Sequence, residues 1–332
     1  VGYIKKLTVI TAAVLLAVAL TGCSMLSGQR SNDRKSPGPN SPVPIDPNAQ
    51  SNETEITLYF KHELADYLVP EKRTVVQENQ SIEHLIVEEL LKGPKKHERR
   101  LVMPPDTDII NVSRQGDTVF VNLTNNFVGN INLADLPGKE NVAEADKPAV
   151  QANMKRLAIY SIVNSLTYLD GVNQVKLLVG NRQMSYKEMG AERLLQDQGG
   201  SLTPDSPMLA IGRNQNANLT PSRTVRLVMN ALRVEPDWNF IYKFLSDKTM
   251  DGSTLPSLDE LKTKIPSVVG GLIEFEDNPV IEEEYLGNKA FVTVHYINKA
   301  DGSRKEVREV LTVDYVDGIW KVRLPVFLNQ YR

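Results

Sequence analysis

Cysteine is almost absent from this chain: Cys23 is the only one. No intramolecular disulfide can form, and no thiolate-rich zinc site can be built. Histidine is nearly as scarce. His62, His84, His97 and His295 are the four, and no two stand at the i, i+4 spacing of a helix-borne metal pair. No Gly-x-Ser-x-Gly elbow, phosphate loop or dinucleotide fingerprint occurs, so the familiar hydrolase and nucleotide chemistries have no local signature. The formal charge is only −3, which argues against a general nucleic-acid binder. Beyond the first two dozen residues no apolar run approaches the ~18 residues of a membrane span. These absences predict a protein without catalytic residues, metal or cofactor.

What is present starts at the N-terminus. Lys5 and Lys6 precede the apolar stretch Leu7 to Leu20, and Leu20-Thr21-Gly22-Cys23 closes it. A basic segment, a short apolar segment and small residues make a secretory signal. The stretch is shorter than the ~20 residues of a spanning helix, which would be the other reading. Leu-Thr-Gly-Cys resembles the lipobox of bacterial lipoproteins. That resemblance implies cleavage before Cys23, diacylglyceryl attachment to its thiol, and tethering to the outer face of the cytoplasmic membrane of a Gram-positive cell. Val1 reads as an initiator, with residues 1–22 as the signal peptide. Removing Lys5 and Lys6 makes the remainder more acidic by two charges.

Residues 23–53 read as a lipid-anchored flexible linker. Its Ser-Pro-Gly-Pro-Asn-Ser-Pro-Val-Pro-Ile-Asp-Pro segment, 36–47, can form neither a helix nor a central strand. Thirty residues of this kind reach roughly 30 Å or more from the anchor.

A first domain is expected over 54–187. Residues 55–60 and 68–76 read as strands, with Pro70 pushing the second toward an edge. Ser81 suits an N-cap, and Ile82, Leu85, Ile86 and Leu90 follow at helical spacing until Gly93-Pro94. Residues 109–112 and 118–123 predict a hairpin across Gln115-Gly116-Asp117. Pro148 opens a long helix with one apolar stripe from Val150 to Leu169, and residues 174–179 return to the sheet. The order is β-β-α-β-β-α-β, an α+β arrangement with helices on one face of a mixed sheet.

Several blocks of this region together resemble the GerM-type sporulation and germination domain family. They are Leu58-Tyr59-Phe60, Tyr67 to Glu71 with Arg73, Glu88 to Pro94, Pro104-Pro105, and Thr118 to Leu123 with Phe127. The resemblance covers about 130 residues. It implies a small α+β unit akin to the ring-building modules of secretion systems. It also implies an envelope scaffold in sporulation or germination, whose partners are spore-assembly proteins or further copies of itself. Only one clear copy of the domain is visible, whereas a tandem pair is known in the family.

Residues 188–218 read as a second linker, from Gly199-Gly200-Ser201 and the polar run Asn214 to Asn218. A second domain is expected over 219–332. Three helical patterns, at 221–232, 238–245 and 258–265, precede strands at 280–285, 290–297, 305–315 and 319–324. The turns carry Gly287-Asn288, Asp301-Gly302 and Asp317-Gly318. Helices followed by a meander predict a second small α+β domain. Its Asp317 to Val322 ending resembles the last hairpin of the nuclear-transport-factor-like (cystatin-like) cone fold, which hosts enzymes, binding pockets and scaffolds alike.

Trp238, Tyr242, His295 and Trp320 are the candidate contacts for a small apolar or cell-wall ligand in this domain. Strand alternation puts Phe291, Thr293, His295 and Ile297 on one face, and His295 would contact a ligand only if that face lines the concavity. The plainer reading is a half-exposed strand histidine. His62 and His97 read as loop residues, and Glu282-Glu283-Glu284 as charges that solubilise an edge strand. The basic run Lys95 to Arg100 reads as a solvated loop, or one that meets an anionic partner.

Overall fold

The computed structural model describes residues 52–233, 236–265, 272–299 and 302–329, with the backbone alone for Asp277, Phe327 and Asn329. The expected signal peptide, Cys23 and nearly all of the first linker lie outside the described residues, as does Asp301 of one expected turn.

Strand β1 (Glu53–His62) is buried on both faces from Ile56 onward. It pairs antiparallel with β2 (Leu68–Val76), Glu53 opposite Val76 and Lys61 opposite Leu68. Pro70 sits in β2, an edge strand, where its missing N–H costs no ladder bond. Helix α1 (Ile82–Leu91) begins where the Ser81 hydroxyl accepts from the His84 amide, and it stops at Gly93, whose φ of +83° suits glycine. A two-residue strand, β3 (Arg99–Arg100), pairs with β1 only at Lys61 and His62. The hairpin of β4 (Ile109–Gln115) and β5 (Thr118–Leu123) turns at Gly116-Asp117. A crossover through helix α2 (Lys147–Leu166) then brings in β6 (Gln174–Val179), parallel to β5.

The α+β class holds, but the first half is built on two sheets rather than one. β2-β1-β3 forms one, and the other has four strands. The reason lies in α2, which is buried all round from Leu157 to Leu166 instead of along a single stripe. Its Ser165 hydroxyl accepts from the Tyr59 amide (2.9 Å), and its Ser161 hydroxyl donates to the Tyr59 carbonyl (2.5 Å). Side chains of a helix thus occupy the β1 edge where another strand would have paired.

Residues 188–218, expected as a linker, fold back onto this half. Ser185 and Glu188 form a capping box for the short helix α3 (Tyr186–Met189), and α4 (Leu195–Gln198) follows. Met189, Ala191, Leu194, Met208, Ile211 and Ala217 join the first core. Strand β7 (Ile211–Gly212) pairs with β6 as the fourth strand of the second sheet. The polar run is what holds this segment down. The buried Asn164 amide of α2 donates to the Asn214 carbonyl and to Asn218 Oδ1, and its oxygen accepts from the Asn214 amide.

The second half opens with α5 (Pro221–Ala231), capped by Thr220, then α6 (Trp238–Lys243). Strand β8 (Leu245–Thr249) follows α6 at once, so the apolar spacing that predicted helix to 245 runs straight into a strand. Helix α7 (Leu258–Lys264) precedes the meander β9 (Ile273–Leu286), β10 (Lys289–Asn298), β11 (Lys305–Val316) and β12 (Ile319–Leu324). A final helical turn spans Val326–Asn329. The sheet order is β8-β12-β11-β10-β9, and β8 runs parallel to β12. Val225, Val228, Met229, Trp238, Ile241 and Phe244 from the helices pack with Val292, Val294, Leu311, Val313, Val322 and Leu324 from the sheet.

The two cores are joined. Ala65 and Val69 of the first half belong to the second core. The Leu219 amide donates to the Leu68 carbonyl at 2.8 Å, and the His62 ring lies 4.9 Å from that of Phe244.

Candidate functional site: a cleft at the seam

The seam is fixed by one buried cation. Arg99 is placed by β3 beside the end of β1, and its Nη2 donates to the Pro70 carbonyl (2.8 Å) and to the Asp317 carbonyl (2.5 Å). Asp317-Gly318 is the two-residue turn between β11 and β12, with φ values of +52° and +86°, the left-handed pair that a tight hairpin needs. A Cβ on Gly318 would stand 2.6 Å from the Pro70 oxygen and 2.8 Å from Arg99 Nη2. Glycine is therefore required there twice, for its backbone angle and for the close approach of the two halves.

Beside this contact opens a cleft of about 290 Å³, lined by Thr57, Tyr59, Pro70, Lys72, Lys96, Tyr168, Tyr315, Asp317 and Gly318. Its floor follows from strand register: Thr57 lies opposite Lys72 and Tyr59 opposite Pro70, and side chains two apart share a face. Tyr168 enters just beyond the C-terminus of α2. Its ring centroid is 6.4 Å from that of Tyr59, the planes tilted by 54°. Arg213 holds the pair, donating to the Tyr59 hydroxyl (2.8 Å) and stacking over the rings of Tyr59 (5.7 Å) and Tyr168 (5.0 Å). From the other half, Tyr315 packs on Trp320 (4.7 Å), which meets Tyr285 edge-on (5.7 Å).

Burial raises the phenol pKa of Tyr59, against the pull of Arg213, and burial likewise raises that of Tyr315, so both are hydroxyl donors at neutral pH. The ammonium of Lys72, held by the Glu55 carboxylate at 2.7 Å, is raised by that hydrogen bond. Lys96 pairs with Asp317 at 3.3 Å.

A buried charge network lies next to the cleft. Glu71 accepts from Arg73 Nε (2.7 Å) and from the amides of Lys95 (3.1 Å) and Lys96 (3.2 Å). Arg73 also donates to Glu89 Oε2 (2.9 Å), the Glu89 carbonyl (3.0 Å) and the Gly93 carbonyl (2.5 Å). Burial pushes the Glu89 carboxyl up, but the hydrogen bonds from Lys92 and Arg73 outweigh it and leave its pKa lowered. The run 95–100 is accordingly not a simple solvated loop. Two of its amides serve Glu71 and Arg99 is fully buried.

The four residues singled out for ligand contact do not converge. Trp238 is buried and Tyr242 half-buried, both on α6 against the second core. Trp320 shares the helix-covered face of the sheet, since it pairs with Tyr315 two places from the Val313–Val322 pair. His295 points the other way, because Val292, Val294 and Tyr296 take the covered face. It stands 3.7 Å from Glu276 and 3.9 Å from Glu306 instead. His62 is no loop residue either. It ends β1 at 3% exposure, and its Nδ1 accepts from the amides of Leu64 (3.1 Å) and Ala65 (3.2 Å). Glu283 points opposite to Glu282 and Glu284, and it accepts from the Ser222 amide (2.9 Å) and hydroxyl at the start of α5. Among the described residues no group of His, Cys, Asp and Glu could hold a metal ion. The cleft residues Tyr59, Tyr168 and Tyr315, and Arg213 that braces two of them, carried no local signal. Tyr59 stood out only as part of Leu58-Tyr59-Phe60.

A protein-family model described as Germane, sporulation and spore germination, matches residues 57–185. The match supports a GerM-type domain over that stretch and an association with sporulation or germination. Two solved structures are similar. One is the first GerMN domain of the sporulation protein GerM from Bacillus subtilis, at 17% identity over 49% of this chain and 98% of that one, TM-score 0.29. The other is the tandem GerMN domains of the same protein, at 14% identity over 79% of this chain and 61% of that one, TM-score 0.30. At these scores neither adds to the fold described above. No curated protein matches the chain.

Proposed function

We propose that this protein is a non-catalytic envelope scaffold of sporulation or germination, tethered by lipid on Cys23 to the outer face of the cytoplasmic membrane. The observation that carries the reading is the family match over residues 57–185, which falls on the half that holds the buried Glu71–Arg73–Glu89 network. A lipobox-like Leu20 to Cys23 in front of a proline-rich stretch supports the tether. The second half, helices and then a meander, supports the cone-like reading of that part. The first half presents β4 at the margin of its four-stranded sheet with Ile110 exposed, a surface for copies of itself or related modules.

The test is recovery of the tagged protein from sporulating and vegetative cells under mild cross-linking. Spore-assembly proteins enriched only from sporulating cells are the expected result. Equal recovery from both, with wall enzymes as partners, would overturn the sporulation role. Release of a Cys23→Ala variant from the membrane fraction checks the tether separately.

A further inference from the structure

We infer that the cleft at the seam is a binding site for an acidic saccharide, a pyranose ring bearing a carboxylate. This goes beyond the scaffold reading and does not depend on it. The volume, about 290 Å³, lies at the lower end of small-molecule sites and suits a single substituted ring.

The chemistry of the walls selects the class. Tyr168 is 49% exposed, and with the half-buried Tyr315 it offers ring faces bordered by hydroxyls, while the buried Tyr59 backs the wall. The 54° tilt between Tyr59 and Tyr168 leaves no parallel-walled slot for a planar base. A puckered ring, apolar along its C–H face and polar at its rim, fits such walls, with Thr57 and the tyrosine hydroxyls to meet its own hydroxyls. Aromatic walls can also hold a cation. Here Arg213 already supplies a cation to one face of Tyr59 and of Tyr168, and Lys72 and Lys96 outnumber Asp317 around the opening. The balance favours an anion. The two lysines are point donors already shared with Glu55 and Asp317, and no arginine is among the lining residues to match a phosphate with its fork. A single carboxylate is the better complement.

Two further cavities lack this combination. Arg156 beside Asp66 is committed to Asp197 (2.6 Å), and Arg223 to the carbonyls of Gln215 (3.1 Å) and Asn218 (2.8 Å). Because the cleft is walled by both halves, a bound ring also bridges the seam and stabilises the folded chain.

The test titrates the full chain with N-acetylmuramic acid and with N-acetylglucosamine, which has the same ring without the carboxylate. Binding is read by calorimetry and by thermal midpoint. Trp320 emission in a Trp238→Phe background gives a readout local to Tyr315. N-acetylmuramic acid should bind at least about fivefold more tightly and raise the midpoint. Tyr168→Ala should weaken both sugars, and Lys72→Gln should erase the preference. Both side chains are largely exposed, so these variants keep the wild-type melt. Four results would overturn the site: neither sugar bound, equal affinity for both, indifference to Tyr168→Ala, or tighter binding of uridine monophosphate than of either sugar.

Discussion

The two halves bury different things. The first encloses Lys61, Glu71, Arg73, Glu83, Glu89, Arg99 and Lys155, each less than 9% exposed, while the buried polar groups described beyond Leu219 are Thr224, Ser246, Thr249 and Thr293. One core is held by charges that must find each other, the other by apolar packing under a meander. A buried ion pair adds little net stability over an apolar substitute, but removing one partner strands the other at a cost of about 3–5 kcal/mol. The first half is therefore specific and unforgiving, whereas the second tolerates any apolar set of the right volume. This difference also decides what could be read. Family-like blocks occur where charges are buried, and the second half could be recognised only by the order of its elements.

The contrast can be broken most strongly with acid. Burial, and then the charges of Lys61 and Arg99, hold the His62 pKa down at about 3 from its ordinary 6.5. Below pH 6.5 the unfolded chain takes up a proton that the folded one refuses. Stability should fall by about 5 kcal/mol as the pH drops from 6.5 to about 3. Urea unfolding at several pH values checks this, and His62→Gln should flatten that part of the slope.

Next comes Arg73→Met, which should cost about 4 kcal/mol by stranding Glu71 and Glu89. Leu311→Met in the second core should stay within about 1.5 kcal/mol. Comparable losses in the two melts would erase the distinction between the halves.

Lys155 sharpens the comparison from the alkaline side. It donates to the carbonyls of Phe127 and Gly129 (3.0 Å) with no carboxylate nearby, and burial lowers its pKa to about 8 from 10.5. Between those values the unfolded chain holds the extra proton, so stability should rise by about 3 kcal/mol from pH 8 to 10.5. Lys155→Met should remove that rise in the same urea series.

The smallest effect is at the seam. Gly318→Ala forces a methyl against the Pro70 oxygen and should cost about 2 kcal/mol. Its signature is faster proteolysis of the β11–β12 hairpin while α2 stays protected from hydrogen exchange.

Most elements were legible because alternation and caps are local. Val119, Val121 and Leu123 fall on one buried face, and Ser81 and Gly93 mark helix ends where expected. What escaped is tertiary. The two-sheet split depends on Ser161 and Ser165 meeting Tyr59 about a hundred residues away in the chain. The run Asn214 to Asn218 looked like a linker because its partner, Asn164, lies in a helix whose pattern gave no sign of a polar contact. β8 was hidden because Phe244 and Leu245 fit a helix stripe as well as a strand. The cleft was invisible for the same kind of reason. Arg213 and Tyr59 are 154 residues apart, and His295 drew attention by its residue type while strand parity turned it away.

The Asp317 carbonyl reaches Arg99 across 218 residues of chain. During synthesis that guanidinium is made long before its acceptor. Until the β11–β12 hairpin docks, the first half carries a cation with an unfilled bond at its margin. The contact thus acts as a latch, and any quality-control protease has the whole interval before it closes in which to act.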